Sequence, residues 1–379
     1  MPKIGIIIDW IGFSYGVLVD TYILQKTLGA DVVWVSCIDE HRKYQASMFS
    51  AAYDKYLLDY DVLYFIQTEF FALLREGQKR PGQKFVFMKN VDISLVTDNN
   101  TYYKNLHMVD VALARTNITI RHYEALRQAF GYRYEIQYTK FTSLDYSSVY
   151  GKRRYFEIEN PFKGKECVVI DKTDLLLEEI PHVLPSSFPL GPPVPLAPSS
   201  STPLAPSSST PLEYAFLSFG RKNLPHITRF WNRYRDQLPK LYIKSYCEDG
   251  VVTDAEMGDV AECRKNDKIE IIDRFIDDRE KFELYNKCCF FINLSPEEGY
   301  GHNINEARST GRVILVLNRE PMNELVDNDC GIVMNTIEEG VSRALTLTKD
   351  EIEYKMRRTR ERFLEDTQYF LDHVQGYGR

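Results

Sequence analysis

The chain has 379 residues, more than one hydrophobic core usually organises, so two domains of ordinary size are expected. Hydrophobic residues make up 44% of it and aromatic residues 13%, which excludes a largely disordered protein. The 47 Lys and Arg against 54 Asp and Glu give a net charge of −7. This balance provides no overall positive field that would favour nucleic acid or an anionic membrane as a partner.

The cysteines and the apolar runs indicate where in the cell the protein is expected. Seven Cys occur without a CxxC pair, and an odd, scattered set is typical of reduced thiols in a cytosol. The apolar run Ile4–Ile8 is too short for a signal peptide, and no segment approaches the about 18 apolar residues of a membrane span. We therefore predict a cytoplasmic protein with no nucleic-acid partner and, at most, a peripheral contact with a membrane.

In the first half of the chain, short apolar runs alternate with helical patterns, which predicts a parallel sheet. The strand candidates are Lys3–Asp9, Asp31–Cys37, Val62–Gln67, Lys84–Met88, Val109–Ala114 and Tyr134–Lys140. Residues 1–180 are predicted to form a Rossmann-like domain.

Residues 181–212 are rich in Pro and Ser, and the octet Pro-Leu-Ala-Pro-Ser-Ser-Ser-Thr occurs twice, at 195–202 and 203–210. Proline removes backbone donors and serine buries little surface, so this segment is predicted to be an extended linker. A docking site for a proline-reading module is the alternative.

After the linker the same alternation returns, which predicts a second doubly wound sheet in residues 213–349. Its strand candidates are Tyr214–Phe219, Leu241–Ser245, Lys268–Ile272, Cys288–Leu294 and Val313–Leu317, with helical segments at Ile227–Gln237 and Arg279–Tyr285. The sparse apolar stripe of Asp350–Val374 predicts one or two helices, which we expect to pack back on the N-terminal domain. Ligands of open parallel sheets bind beyond the carboxyl ends of the strands, so the two domains are expected to face each other across a cleft.

The stretch Cys288–Leu317 carries the clearest chemistry. A strand leads into Ser295-Pro-Glu-Glu-Gly-Tyr-Gly301, and a helix is predicted from about His302 to Gly311. Glycines before a helix let the backbone approach an anion, and the first helical N–H groups attract phosphate.

Glu298 and Glu306 flank this predicted helix start. Because carboxylates repel phosphate, they are expected to accept hydrogen bonds from neutral hydroxyls, one on a sugar and one on a ribose. The pattern therefore indicates a nucleotide sugar as the ligand.

The segment from Glu298 to Gly311, followed by Pro321-Met-Asn-Glu-Leu-Val, resembles the donor-site signature of the retaining GT-B glycosyltransferases. The resemblance implies that Glu298 contacts the donor sugar and Glu306 the ribose. It further implies donor contacts from Gly299, Tyr300, Gly301, His302 and Asn303. His302 departs from the pattern because many relatives carry an aliphatic residue there, so it is either a tuned contact or an ordinary first helical residue.

Two further segments after the linker are similar to family positions. Arg221 and Lys222 resemble the cations that clamp the diphosphate, where they would stabilise charge on the leaving nucleotide; ordinary surface cations are the alternative. Phe275 and Ile276 resemble the turn whose backbone reads the nucleobase.

The N-terminal half matches the family less well. Gly12 stands where relatives place a glycine loop, although a plain strand-to-helix turn explains it equally well. Lys89-Asn-Val-Asp92 occupies the place of a family His that contacts the donor sugar, and Asn90 or Asp92 would have to substitute for it.

The sequence therefore predicts a glycosyltransferase that moves a sugar from a UDP- or GDP-sugar to a glycan or glycoconjugate acceptor. The resemblance implies retention of configuration, by front-face transfer in which the donor phosphate helps to deprotonate the acceptor. No cofactor and no metal are expected, because Asp59-Tyr-Asp61 and Asp327-Asn-Asp329 match a metal-binding pattern in letters only. A sugar-nucleotide epimerase and a non-catalytic nucleotide-sugar-binding scaffold remain as alternatives.

Overall fold

The computed structural model forms two compact units. The residues that it describes are 2–9, 15–35, 46–89, 106–140, 142–143, 145–146, 212–219, 224–244, 265–272, 274, 276, 278–295 and 301–374. Of the described residues, those up to Ser143 and from Thr367 onward belong to the first unit, whereas Asp145, Tyr146 and those from Leu212 to Asp366 belong to the second. Apart from Leu212, the predicted linker at 181–212 lies outside the described residues.

The first unit is built on a six-stranded parallel sheet with the order β2-β1-β3-β4-β5-β6. The strands are β1 (Ile4–Asp9), β2 (Asp31–Val35), β3 (Val62–Ile66), β4 (Lys84–Met88), β5 (Val111–Ala114) and β6 (Glu135–Tyr138). Its helices are α1 (Tyr15–Leu28), α2 (Ala46–Ala52) and α3 (Asn117–Phe130), with a π-helical turn at Tyr53–Leu57 and a 3-10 turn at Phe70–Leu73. All residues of β1 and β3 are buried, as expected for strands covered on both faces.

The second unit holds another six-stranded parallel sheet, with the order β12-β11-β10-β7-β8-β9. Its strands are β7 (Glu213–Phe219), β8 (Leu241–Lys244), β9 (Ile269–Ile272), β10 (Cys288–Asn293), β11 (Val313–Leu317) and β12 (Gly331–Met334). Counted within the unit, this is the Rossmann order, in which the winding direction reverses between the first and fourth strands. That reversal lies between β7 and β10.

Six helices of the second unit fall within the described residues. They are α4 (Leu224–Arg233), α5 (Asp278–Lys287), α6 (His302–Ser309), α7 (Met322–Leu325), α8 (Ile337–Thr346) and α9 (Lys349–Val374). The last helix is one continuous element of 26 residues whose final turns belong to the first unit, where the Tyr64 hydroxyl donates to the Val374 carbonyl at 3.5 Å.

The two predicted parallel sheets are confirmed, and eleven of their strands lie within two or three residues of the predicted bounds. Strand β12 is not among the predicted strands. Its four residues follow a polar Asp-Asn-Asp turn and are too few to show an alternation of apolar and polar residues. Its parallel pairing with β11 can be recognised only in the folded sheet.

Each unit has its own aromatic core. Phe65 packs edge-on against Phe71 and Phe85 in the first unit, with ring centroids 5.3 and 5.1 Å apart. In the second, Phe216 stacks on Phe290 at 4.7 Å and meets Trp231 at 5.2 Å. Within the described residues, no helix combines the length and the apolar composition that crossing a bilayer requires.

Candidate functional site

In the second sheet, the strand order reverses between β7 and β10, which creates a crevice at the carboxyl edge of these two strands. Open α/β sheets bind ligands at this kind of position. β7 ends at Phe219 and β10 at Asn293, whose side-chain oxygen accepts a hydrogen bond from the Ser295 N–H at 2.8 Å. Both strands therefore end at the same edge of the sheet.

Helix α6 begins at this edge. Its N-cap is Gly301, which has φ +69° and no side-chain cap, and the Asn305 N–H donates to the Gly301 carbonyl at 3.0 Å. A Cβ at Gly301 would lie 3.1 Å from Leu325 Cδ1 and 3.3 Å from Ile304 Cδ1. Left-handed backbone and close packing together explain why glycine stands here, and the helix start offers N–H groups that have no partner within the helix.

One turn inside α6, Glu306 is completely buried. Its Oε2 lies 2.6 Å from the Lys281 ammonium and 3.0 Å from the Tyr285 hydroxyl. The same hydroxyl is 3.1 Å from the Asn303 carbonyl oxygen. A buried carboxylate requires such partners, because an unpaired charge in this environment costs several kcal/mol, roughly.

Aromatic rings surround the Lys281–Glu306 pair. The Tyr285 ring centroid is 5.0 Å from that of Phe219 and 5.9 Å from that of Tyr146. The Lys281 ammonium lies 5.3 Å from the Tyr146 centroid and 5.6 Å from the Phe219 centroid, within the range of a cation–π contact. The ammonium is thus held between one carboxylate and two aromatic faces.

Tyr146 reaches this cluster from the part of the chain before the linker. Its backbone N–H donates to Ser309 Oγ at 3.0 Å, and Ser309 Oγ in turn donates to the Glu306 carbonyl at 2.7 Å. The neighbouring Asp145 forms a two-bond contact with Arg360, at 2.7 and 2.6 Å. Residues far apart in sequence therefore support the last turn of α6.

Two buried arginines make further contacts at this end of α6 and just after it. Arg308 donates to Asn305 Oδ1 at 2.8 Å and pairs with Asp366 at 2.5 Å. Arg312 donates to the carbonyls of Thr310 and Cys288 at 2.7 and 3.1 Å, and burial lowers its pKa to about 10. These contacts tie α6 to α9 and to β10, so they hold the helix rigidly beneath the edge.

Of the predicted site residues, five are described. Glu306, Gly301, His302 and Asn303 lie on or beside α6 as predicted, and Ile276 is half-buried after β9. The others lie outside the described residues: Glu298, Gly299, Tyr300, Arg221, Lys222, Phe275, Gly12, Asn90 and Asp92. Their roles stay predictions, as does the absence of a metal, although no group of three or more candidate ligands occurs in the described part of the chain.

Three residues of this cluster are not among the predicted site residues: Lys281, Tyr285 and Tyr146. Lys281 and Tyr285 stand four residues apart in α5 and so share one helical face, which was a usable signal. No spacing in the sequence could have indicated Tyr146, because its contacts depend on the tertiary fold.

Solved structures resemble the whole chain at low sequence identity. A glycosyltransferase from Rickettsia africae ESF-5 has a TM-score of 0.63 at 13% identity, covering 100% of this chain and 97% of that one. Sucrose-phosphate synthase from Thermosynechococcus elongatus has a TM-score of 0.62 at 12% identity, covering 100% and 98%. HepE from Anabaena, solved with UDP and glucose, has a TM-score of 0.57 at 12% identity, covering 100% and 98%.

This chain has the GT-B fold. The finding rests on structure, since no protein-family model and no curated sequence matches the chain. Within its second Rossmann-like unit, the GT-B chain places α6, Glu306 and the ends of β7 and β10 at one edge.

Proposed function

We propose that the chain is a glycosyltransferase that moves a sugar from a nucleotide diphosphate sugar onto a hydroxyl of a glycan or glycoconjugate. The observation that carries the proposal is the arrangement of α6, which begins at a left-handed glycine beside the switch point and carries a buried carboxylate one turn inside. Together with the donor-site resemblance of residues 298–311, this arrangement suits a ligand that combines phosphates with neutral hydroxyls.

The fold supports the same class of reaction. Solved structures similar to this chain include a glycosyltransferase and HepE, which was solved in one case with UDP and glucose and in another with UDP-glucose. The proposal assigns the nucleotide sugar to the second unit and the acceptor to the first. A UDP- or GDP-sugar is the donor that we propose.

Within the proposal, the positive charge needed at the diphosphate comes from Arg221, Lys222 and the N-terminus of α6. These groups stabilise the charge that develops on the leaving nucleotide, which is the largest single contribution available to such a site. No divalent metal is then required. Glu298 binds the donor sugar, and transfer proceeds with retention as the donor phosphate helps to deprotonate the acceptor.

Glu306 is proposed to accept hydrogen bonds from the ribose. Because its carboxylate has no exposed surface, the proposal requires the structure to open locally at this point when the ligand binds. A carboxylate accepts about four hydrogen bonds, so the contacts from Lys281 and Tyr285 do not exhaust it.

Thermal unfolding with nucleoside diphosphates tests the proposal. A ligand at 100 times its Kd stabilises a protein by about 2.7 kcal/mol, so UDP, GDP and ADP can be ranked by the rise in Tm. We expect one of them to raise the Tm in the presence of EDTA, and the corresponding sugar nucleotide to be slowly hydrolysed without acceptor. If none of the three shifts the Tm, or if the shift needs Mg²⁺ or Mn²⁺, the metal-independent donor site is wrong; binding without any hydrolysis or transfer would indicate a scaffold.

A further inference from the structure

A lysine outside the donor-site signature contacts its second glutamate. Lys281 lies on α5, and its ammonium is 2.6 Å from Glu306 Oε2. The side chain of Lys281 is 13% exposed and that of Glu306 is not exposed at all, so the pair is removed from water. Lys281 is therefore part of the environment that any ligand of Glu306 meets.

The surroundings leave the ammonium little freedom to change partners. Tyr146 and Phe219 present their rings to it at 5.3 and 5.6 Å, and Tyr285 donates to the same carboxylate oxygen that Lys281 contacts. The Lys281 ammonium and the Tyr285 hydroxyl both face Glu306 Oε2, which restricts the rotation of the carboxylate. The position of the Glu306 head group is thus set by α5 as much as by its own helix.

The charge of the pair restricts what can bind to it. Lys281 and Glu306 already form an ion pair, and adding a further charge to a poorly solvated pair is costly. A pair of hydroxyl groups adds no charge and supplies hydrogen-bond donors, which a carboxylate accepts. A neutral diol is therefore the ligand group that this pair fits.

We propose that Lys281 is a positioning residue that orients the Glu306 carboxylate to read the ribose diol of the nucleotide. The inference rests on the proposed function. It adds Lys281 to the proposed site, and it predicts that the site selects a ribonucleotide over a 2′-deoxyribonucleotide. Lys281 acts through Glu306, so its loss removes the discrimination between a ribonucleotide and its 2′-deoxy counterpart.

The experiment measures two dissociation constants by calorimetry for each protein. UDP, GDP and ADP are titrated into the wild-type chain, and the one that binds is compared with its 2′-deoxy form. We expect the wild type to prefer the ribonucleotide by about tenfold or more, since the lost hydrogen bond is made to a charged group. Lys281→Met should reduce this preference to about threefold or less, while Lys281→Arg should keep most of it.

The matched control is Lys287→Met, which removes another lysine from the same helix. Lys287 pairs with Glu213 at 3.5 Å and lies over the Tyr242 ring at 4.2 Å, but Glu213 begins β7 at the opposite edge of the sheet. This variant should keep the full preference. Glu306→Gln should lose it, and the double variant Lys281→Met/Glu306→Gln should show the same lack of preference as Glu306→Gln alone, because Lys281 acts through Glu306.

A second variant keeps the test decisive if Lys281→Met fails to fold. Tyr285→Phe removes only a hydroxyl from the same oxygen and should lower the ribose preference by about threefold. The inference is overturned if folded Lys281→Met, or Tyr285→Phe in its place, retains the wild-type preference, or if the wild type shows none. If the wild type binds no nucleoside diphosphate at all, the proposed function itself has failed.

Discussion

Glycines 131 and 311 show how a single residue can carry two different constraints. Both follow a helix in the left-handed conformation with φ +68°, after α3 and α6 respectively. A Cβ at Gly131 would meet nothing within 4 Å, whereas at Gly311 it would lie 2.9 Å from the Met356 carbonyl oxygen. Gly131 is needed for its backbone alone, and Gly311 also for the close approach of α9.

We therefore predict that Gly311→Ala destabilises its unit more than Gly131→Ala does. Left-handed backbone costs an alanine about 1–2 kcal/mol in both, and forced overlap with the main chain of α9 adds about 1–3 kcal/mol only at Gly311. Hydrogen exchange of the amides in β11 for Gly311→Ala, and in β5 for Gly131→Ala, measures the two effects separately. Equal losses of protection would contradict the role assigned to Met356.

At the scale of an element, helix α9 carries one buried and one exposed ion pair, whose contributions to stability are expected to differ. It carries the buried pair of Asp366 with Arg308, whose side chains are 9% and 0% exposed. One residue earlier, Glu365 pairs with Arg362 at 3.7 Å on the surface, where the side chains are 55% and 43% exposed. The two acids are neighbours in sequence but lie in different surroundings.

Asp366→Ala is predicted to cost about 3–5 kcal/mol of unfolding free energy, because it leaves the Arg308 guanidinium buried and unpaired. Glu365→Ala should cost roughly 1 kcal/mol or less, since a surface pair contributes little. Urea unfolding followed by circular dichroism compares the two variants on one helix. Similar losses in both would mean that the Arg308 charge is compensated elsewhere.

At the scale of the whole molecule, neither unit is one continuous stretch of chain. Asp145 and Tyr146 belong to the second unit although they precede the linker, and the residues from Thr367 belong to the first although they follow it. The domain bounds at 180 and 212 stay predictions, because the residues around them lie outside the described part of the chain.

A fragment of residues 213–379 should consequently be less stable than the same residues in the full chain. It lacks the Tyr146 N–H that binds Ser309 and the Asp145 carboxylate that binds Arg360. The protection of its β10 and β11 amides against hydrogen exchange is expected to fall below that in the full chain. The control is a full chain cleaved by a protease at a site inserted in 195–210, which should keep the original value; a fragment as stable as the full chain would contradict this account.

The sequence by itself determined the two parallel sheets, most of their strands and the position of α6. These features follow from local information: apolar runs buried on both faces, and glycines at Gly301 and Gly311. The same local pattern placed Glu306 one turn inside α6.

Only the tertiary structure decided what surrounds Glu306. Lys281, Tyr285 and Tyr146 come from a different helix and from a segment more than a hundred residues away, so their contacts depend on how α5, α6 and Asp145–Tyr146 pack. The strand β12 and the membership of the chain's segments in the two units were decided in the same way. Periodicity reports which face of an element is apolar, whereas the partner of a buried charge is fixed by packing between elements that the sequence keeps far apart.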